Sequence, residues 1–199
     1  MSKQQFIEEY FAQFQDFERT DGSSTIMPDG FEKLCTELGY DMSDIEPLVL
    51  MWKLGGSELG VVSFDEWQSG VSSLGASSAA ELRKAVDGVV AQLAVDVSLY
   101  RAFYRRMFNY LKAEKQKTIS AEAARDILPV IKAKDNEVFD KFVAFLEASS
   151  DKVKAINRDQ WQSLLELSRT MDGSLAGYSK DDAWPALFDD FAEWVQSQS

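Results

Sequence analysis

The only thiol in this chain is Cys35, and none of its 199 residues is a histidine that could activate it. Without histidine there is no Ser-His or Cys-His couple and no His-bearing zinc site. Cys35 shares the 31, 34, 35, 38 spacing of one helical stripe with Phe31, Leu34 and Leu38. A buried cysteine acting as a small apolar residue fits that stripe better than a catalytic thiol. Carboxylates alone could still hydrolyse a bond, but nothing pairs two of them in an evident cleft, and the high acid count is the only support for a hydrolase.

Carboxylates can also bind metals. Two frames of twelve residues, Asp21–Glu32 and Gly55–Glu66, lie 34 residues apart. The second has Gly60 sixth, Val62 eighth and Glu66 twelfth, the backbone plan of an EF-hand calcium loop. Gly55 and Leu59 stand where oxygen donors are required. The first frame offers Asp21, Ser23, Thr25, Asp29 and Glu32, with Ile26 in the glycine position and Pro28 eighth. The pair is expected to be a degenerate EF-hand-like scaffold without calcium, and a calcium sensor or buffer is the competing reading.

A third set of carboxylates sits near the C-terminus, in Ala183-Trp184-Pro185-Ala186-Leu187-Phe188-Asp189-Asp190-Phe191-Ala192-Glu193-Trp194. Trp184, Leu187/Phe188, Phe191 and Trp194/Val195 recur at three- and four-residue steps and share a helix face, started near Pro185. Asp189, Asp190 and Glu193 fall mostly off it. Taken alone, this is the solvated face of an acidic protein before it is a docking surface.

The elements that must hold these groups are helices. Ser2 caps a first helix buried through Phe6, Ile7, Tyr10, Phe11, Phe14 and Phe17. Arg19–Thr25 is a polar turn, and Pro28 and Asp29 start a helix through Leu38. A third helix runs from Ser43 or Asp44 to Leu54, with Leu48, Met51 and Trp52 inward. Val61-Val62 reads as a short strand, followed by a Ser63–Glu66 capping box. Later helices are expected at 79–95, 97–112, 120–133, 136–148, 157–171 and 184–196, capped at Ser98, Ser120 and Asn157. Val153–Ile156 is the other strand-like run. The class is all-α, one domain over 1–199 with subdomains 1–95 and 96–199.

The formal charge of −12 opposes binding to nucleic acid or an anionic membrane and favours a basic protein partner. No apolar run approaches the roughly 18 residues that span a bilayer. Met1-Ser2-Lys3-Gln4-Gln5 lacks the apolar core of a signal peptide. One cysteine allows no internal disulfide, so a reducing compartment is expected.

Several marks together resemble the potentiating-neddylation domain of the DCN-like (defective in cullin neddylation) proteins. The specific ones are Asp159-Gln160-Trp161 through Ser168, Tyr178, Ala183-Trp184-Pro185, Asp189-Asp190-Phe191 and Glu193. Asp29-Gly30-Phe31, Met51-Trp52-Lys53-Leu54, Phe103-Tyr104 and Phe108-Asn109-Tyr110 follow the same order, so the resemblance runs from about residue 5 to 196.

The resemblance implies two linked helical subdomains, the first built of paired EF-hand-like units. It implies a monomeric, eukaryotic, cytoplasmic or nuclear scaffold ligase that promotes transfer of a ubiquitin-like modifier to a cullin, without catalytic residues, metal or cofactor of its own. The cullin's C-terminal winged-helix domain would meet Asp159, Ala183 and Asp189, with Asp190, Asp182 and Asp181 adjacent. The acetylated N-terminal methionine of the conjugating enzyme would enter a pocket of Phe31, Leu48, Leu54, Val62, Tyr110, Ile127 and Val130. Acetylation removes the terminal charge and so lowers the cost of burying that end. For the same seven positions, plain core is a reading at least as strong, and Pro28, Pro47 and Gly60 depart from the family's pattern. The competing class is a helical module for another basic partner.

Overall fold

The computed structural model describes residues 2–18, 22–132 and 136–198, with only the backbone of Phe17 and Glu18. Arg19 and Thr20 of the expected polar turn, Asp21 that opens the first loop frame, the Phe17 side chain, and Ala133 at the expected end of the 120–133 helix lie outside that description. The chain divides into two units, Met1–Phe103 and Tyr104–Ser199.

The first unit holds α1 (Lys3–Ala12), β1 (Phe17–Glu18), β2 (Ser24–Ile26), α2 (Pro28–Glu37), α3 (Ile45–Leu54), β3 (Val62–Ser63), α4 (Phe64–Leu74), α5 (Ala79–Leu93) and the start of α6 (Val97–Leu111). Ser2 and Gln5 close a capping box over α1, and Phe6, Ile7, Tyr10 and Phe11 form its buried face. The helix stops at Ala12, earlier than expected, so Phe14 is buried from the loop. The buried Trp67 indole donates to the Ile7 carbonyl at 2.9 Å and joins α4 to α1.

α2 has Pro28 in its first turn, but its N-cap, Met27, has no oxygen with which to cap it. Asp16 supplies the cap from the preceding loop, accepting from the Met27 amide at 2.7 Å and the Gly30 amide at 3.0 Å. Gly30 is required there, since an added Cβ would stand 2.1 Å from the Phe14 carbonyl oxygen.

β2 lies between β1 and β3, all antiparallel. Ile26 pairs with Val62. Val62 is eighth in its frame and Ile26 sixth, so the two frames read from the sequence are not equivalent in the sheet; they are offset by two residues. Gly55 ends α3 in the left-handed conformation, and the Ser63–Glu66 box starts α4. α3 packs against both α4 and α5, burying Val49, Leu50, Met51 and Leu54. That double packing turns Leu48 and Trp52 half-outward, where the spacing had placed them inside. The cap of α6 is Asp96, which accepts from the Ser98 and Leu99 amides at 2.8 and 3.0 Å, and not Ser98 as expected. Cys35 is fully buried and its thiol is pushed up to about 12 by burial and by Glu32.

The second unit holds the end of α6, then β4 (Thr118–Ser120), α7 (Ala121–Ile131), α8 (Glu137–Ala148), β5 (Ala155–Asn157), α9 (Arg158–Thr170) and α10 (Leu187–Ser197). β1, β2 and β4 escaped the sequence reading, whereas β3 and β5, equally short, were marked by the β-branched runs Val61-Val62 and Val153–Ile156. β4 and β5 pair antiparallel, bringing together the buried Ile119 and Ile156. Ser120 and Asn157 cap the helices that follow, as their positions predicted. Tyr104 and Trp161 join α6 to α9 reciprocally. The Tyr104 hydroxyl donates to the Trp161 carbonyl at 2.9 Å, the indole donates to the Tyr104 carbonyl at 3.0 Å, and the rings stack 4.5 Å apart. α8 presents Phe142 and Phe145 to Phe188, Phe191 and Trp194 of α10. Each of the four buried phenylalanines contributes about 1.5–3 kcal/mol through burial.

Candidate functional site

α10 begins later than expected, at Leu187, with Ala186 as N-cap and no side-chain cap. Pro185 stands just before the helix, and its carbonyl accepts from the Phe188 amide at 2.9 Å. No side chain caps the first turn, whose Phe188 and Asp189 amides turn to the Pro185 and Ala186 carbonyls, and Asp189 and Asp190 place negative charge there, where a helix stabilises it.

The loop before α10 is tied to those carboxylates. The Tyr178 hydroxyl donates to Asp189 Oδ1 at 2.7 Å. Burial, then the bond to Asp189 and the charges of Asp189 and Asp182, push Tyr178 ionisation well above its ordinary value. Lys180 forms an ion pair with Glu193. That bond first, and then the charges of Glu193, Asp189 and Asp190, hold the ammonium above its ordinary value. Upstream, Asp172 accepts from the Ser174 amide and hydroxyl, which hold its carboxyl below the usual range. Leu175 follows with φ of 52° and a buried side chain. A left-handed leucine is strained, and its burial offsets the strain.

Asp182, Asp189 and Asp190 thus gather around Tyr178 and Lys180. Asp190, Asp182 and Ala183 are exposed, while Asp189 is half-buried and oriented. Asp159 is exposed in the first turn of α9, outside this hydrogen-bonded network. The hydroxyl of Tyr178 and the cation of Lys180 had no assigned role in the sequence. The signal for Lys180 was a lone cation among Asp181, Asp182, Asp189, Asp190 and Glu193.

The seven expected pocket residues fall in both units. Phe31, Leu54 and Val62 in the first, and Tyr110 in the second, are core residues. Leu48 in the first, and Ile127 and Val130 in the second, are half-exposed. A cavity of about 580 Å³ in the first unit is lined by Phe11, Ser24, Ser63 and Phe64 among others, and by none of the seven. Among the described residues no three Cys, Asp or Glu are grouped to hold a metal. Glu66, twelfth in its frame, spends its carboxylate on the Ser57 and Ser63 amides. Among the described residues no helix is long and apolar enough to cross a membrane.

The family model described as Cullin binding matches residues 81–194. The chain is 35% identical over 187 residues to DCN1-like protein 4 of Drosophila melanogaster, covering 94% of this chain and 74% of that protein. It is 33% identical over 178 residues to DCN1-like protein 5 of Homo sapiens, covering 89% and 74%. Against DCN1-like protein 4 of Danio rerio it is 35% identical over 171 residues, covering 86% of this chain and 60% of that protein.

Proposed function

Because this chain belongs to the cullin-binding, DCN1-like family, we propose that it serves cullin neddylation as a non-covalent scaffold, binding a cullin and the conjugating enzyme together. The observation that carries the reading is the ordered acidic segment around Tyr178, within the residues that the family model matches. Asp182, Asp189 and Asp190, with Asp159 on α9, attract lysine or arginine of the cullin's C-terminal winged-helix domain, and the small Ala183 permits close approach. Asp189 is held in place before the partner arrives, which lowers the ordering cost of binding.

Holding two partners makes their encounter effectively unimolecular and restricts its orientation. The acceptor lysine and the thioester belong to the partners. The buried Cys35, with its raised ionisation, supports the reading that no adduct forms on this chain. For the acetylated N-terminus of the conjugating enzyme the candidate contacts are Phe31, Leu48, Leu54 and Val62 of the first unit and Tyr110, Ile127 and Val130 of the second, of which Leu48, Ile127 and Val130 are half-exposed. The first unit is read as paired EF-hand-like arms, supported by β2 and β3 pairing between two helix–loop–helix segments. The single free thiol suits a reducing compartment such as the cytoplasm or nucleus, and the protein is proposed to act there as a monomer.

The test is binding of a cullin C-terminal winged-helix domain to this protein and to Asp189→Lys, at low and moderate salt. The expected result is a salt-sensitive complex, weakened about tenfold or more by the reversal, with helicity unchanged. Absence of binding by the unsubstituted protein would sink the cullin reading and make a calcium titration the next experiment.

A further inference from the structure

α9 opens with a charge that does not favour the helix itself. Helix N-termini carry partial positive charge, yet the first residue is Arg158, and Asn157 with Gln160 already caps the end. The guanidinium is held in place all the same. Nη2 donates to Asn109 Oδ1 at 2.8 Å, and the central carbon lies 5.0 Å from the centre of the Phe108 ring. Both partners are neutral, so Arg158 is oriented without being neutralised, and it is exposed.

Asn109 is exposed on α6, with Arg105 four residues before it and Lys112 three after. Lys112 lies just past the end of α6, but its amide still donates to the Phe108 carbonyl at 3.1 Å, so the spacing of three and four keeps all three on one face. Lys112 donates to the Ala113 carbonyl, again a neutral partner. Lys117 precedes Thr118, whose ladder partner Asn157 precedes Arg158, so a fourth cation starts from an adjacent backbone. None of Arg105, Lys112, Lys117 and Arg158 forms an ion pair with a described carboxylate. Residues 104–120 carry Arg105, Arg106, Lys112, Lys115 and Lys117 against the single acid Glu114. The net charge of −12 does not cancel such a surface, because salt screens exposed charges beyond about 8 Å.

We propose that Arg105, Lys112 and Arg158, arranged around Asn109, form a docking surface for an acidic segment of a partner protein. The fork of Arg158 suits one carboxylate in bidentate geometry, and its fixed orientation lowers the cost of binding. Arg105 and Lys112, about 10 Å apart along the helix, take further carboxylates on either side. A polyanionic nucleic acid would extend past this short surface into a protein whose overall charge repels it. The proposal stands apart from the cullin reading, since its partner has the opposite charge.

The probe is a dye-labelled oligoglutamate peptide of about ten residues, long enough when extended to cross the surface, and the readout is fluorescence anisotropy. The expected result is binding that weakens with salt and falls about tenfold or more in Arg105→Glu/Lys112→Glu/Arg158→Glu. The control Lys33→Glu/Lys84→Glu/Arg169→Glu changes net charge equally from exposed positions elsewhere and is expected to retain most of the binding. Thermal melts confirm that both variants are folded. Equal losses in the two variants, no binding to the intact protein, or tighter binding of an oligothymidylate of the same charge would each overturn the proposal.

Discussion

Two segments of the second unit carry opposite charge and treat it differently. Residues 172–193 hold Asp172, Asp181, Asp182, Asp189, Asp190 and Glu193 against one cation, Lys180. Residues 104–120 reverse that balance. In the acidic segment only Glu193 is neutralised from within, by Lys180, while Asp189 and Asp172 are oriented by the neutral hydroxyls of Tyr178 and Ser174. On the basic surface Arg158 is held by an amide and a ring, and its charge goes unanswered. A count of charges does not say what a surface offers. The way each charge is held decides that, and both segments fix a charged group with neutral partners, Asp189 by Tyr178 and Arg158 by Asn109 and Phe108, while leaving most of their charge open to a partner.

The largest effect that would break the comparison is Trp161→Ala. It removes a buried ring, its stack on Tyr104 and an indole hydrogen bond, so a loss of about 3–5 kcal/mol is expected from denaturant midpoints. Both surfaces should weaken together, since α9 carries Asp159 as well as Arg158. A variant keeping one surface intact would show that α9 is positioned by something else.

A middle-sized effect separates the two. Tyr178→Phe keeps the ring and leaves Asp189 without its donor, which should cost about 1–3 kcal/mol and weaken the cullin-domain complex, with oligoglutamate binding unchanged. The alkaline limb of stability sharpens the same point. The folded state holds the Tyr178 proton more tightly than the unfolded chain, whose tyrosines titrate near pH 10. Its contribution is complete below that pH and is lost as pH rises toward the folded value. Tyr10, pushed up to about 12 chiefly by burial, and the raised Tyr40 act in the same direction. Melts across the alkaline range should therefore fall less steeply for Tyr178→Phe than for the parent protein.

The smallest effect is Arg158→Ala. Removing a cation from the positive end of α9 gains about 0.3–1 kcal/mol, while losing the Asn109 bond and the contact with Phe108 costs a similar amount. Stability should therefore stay nearly level. A large destabilisation would make Arg158 a structural residue and remove the reason for assigning it a partner.

Several local signals were legible in the sequence where the group and its target lie within one turn, although the caps Ser78 and Asn136 of α5 and α8 were not read. Ser2, Ser63, Ser120 and Asn157 cap the helices that they precede. The miss at α6 was only two residues, between Ser98 and Asp96. The cap of α2 was not legible, because Asp16 reaches it from eleven residues upstream of Met27. The aromatic stripe of α10 was readable from its spacing, whereas the half-outward turn of Leu48 and Trp52 on α3 depended on two neighbouring helices competing for one surface.

By itself the sequence determined the helical class, the aromatic faces, the missing histidine chemistry and the acidic C-terminal segment, since these follow from composition and from contacts a few residues apart. Tertiary structure alone decided that Asp189 is oriented by Tyr178, that Arg158 rests on Asn109 across 49 residues, and that Ile26 pairs with Val62. The reason is physical. A carboxylate or guanidinium can be satisfied by many partners of similar energy, and only the packing of buried rings such as Tyr104 on Trp161 selects which of them comes within reach.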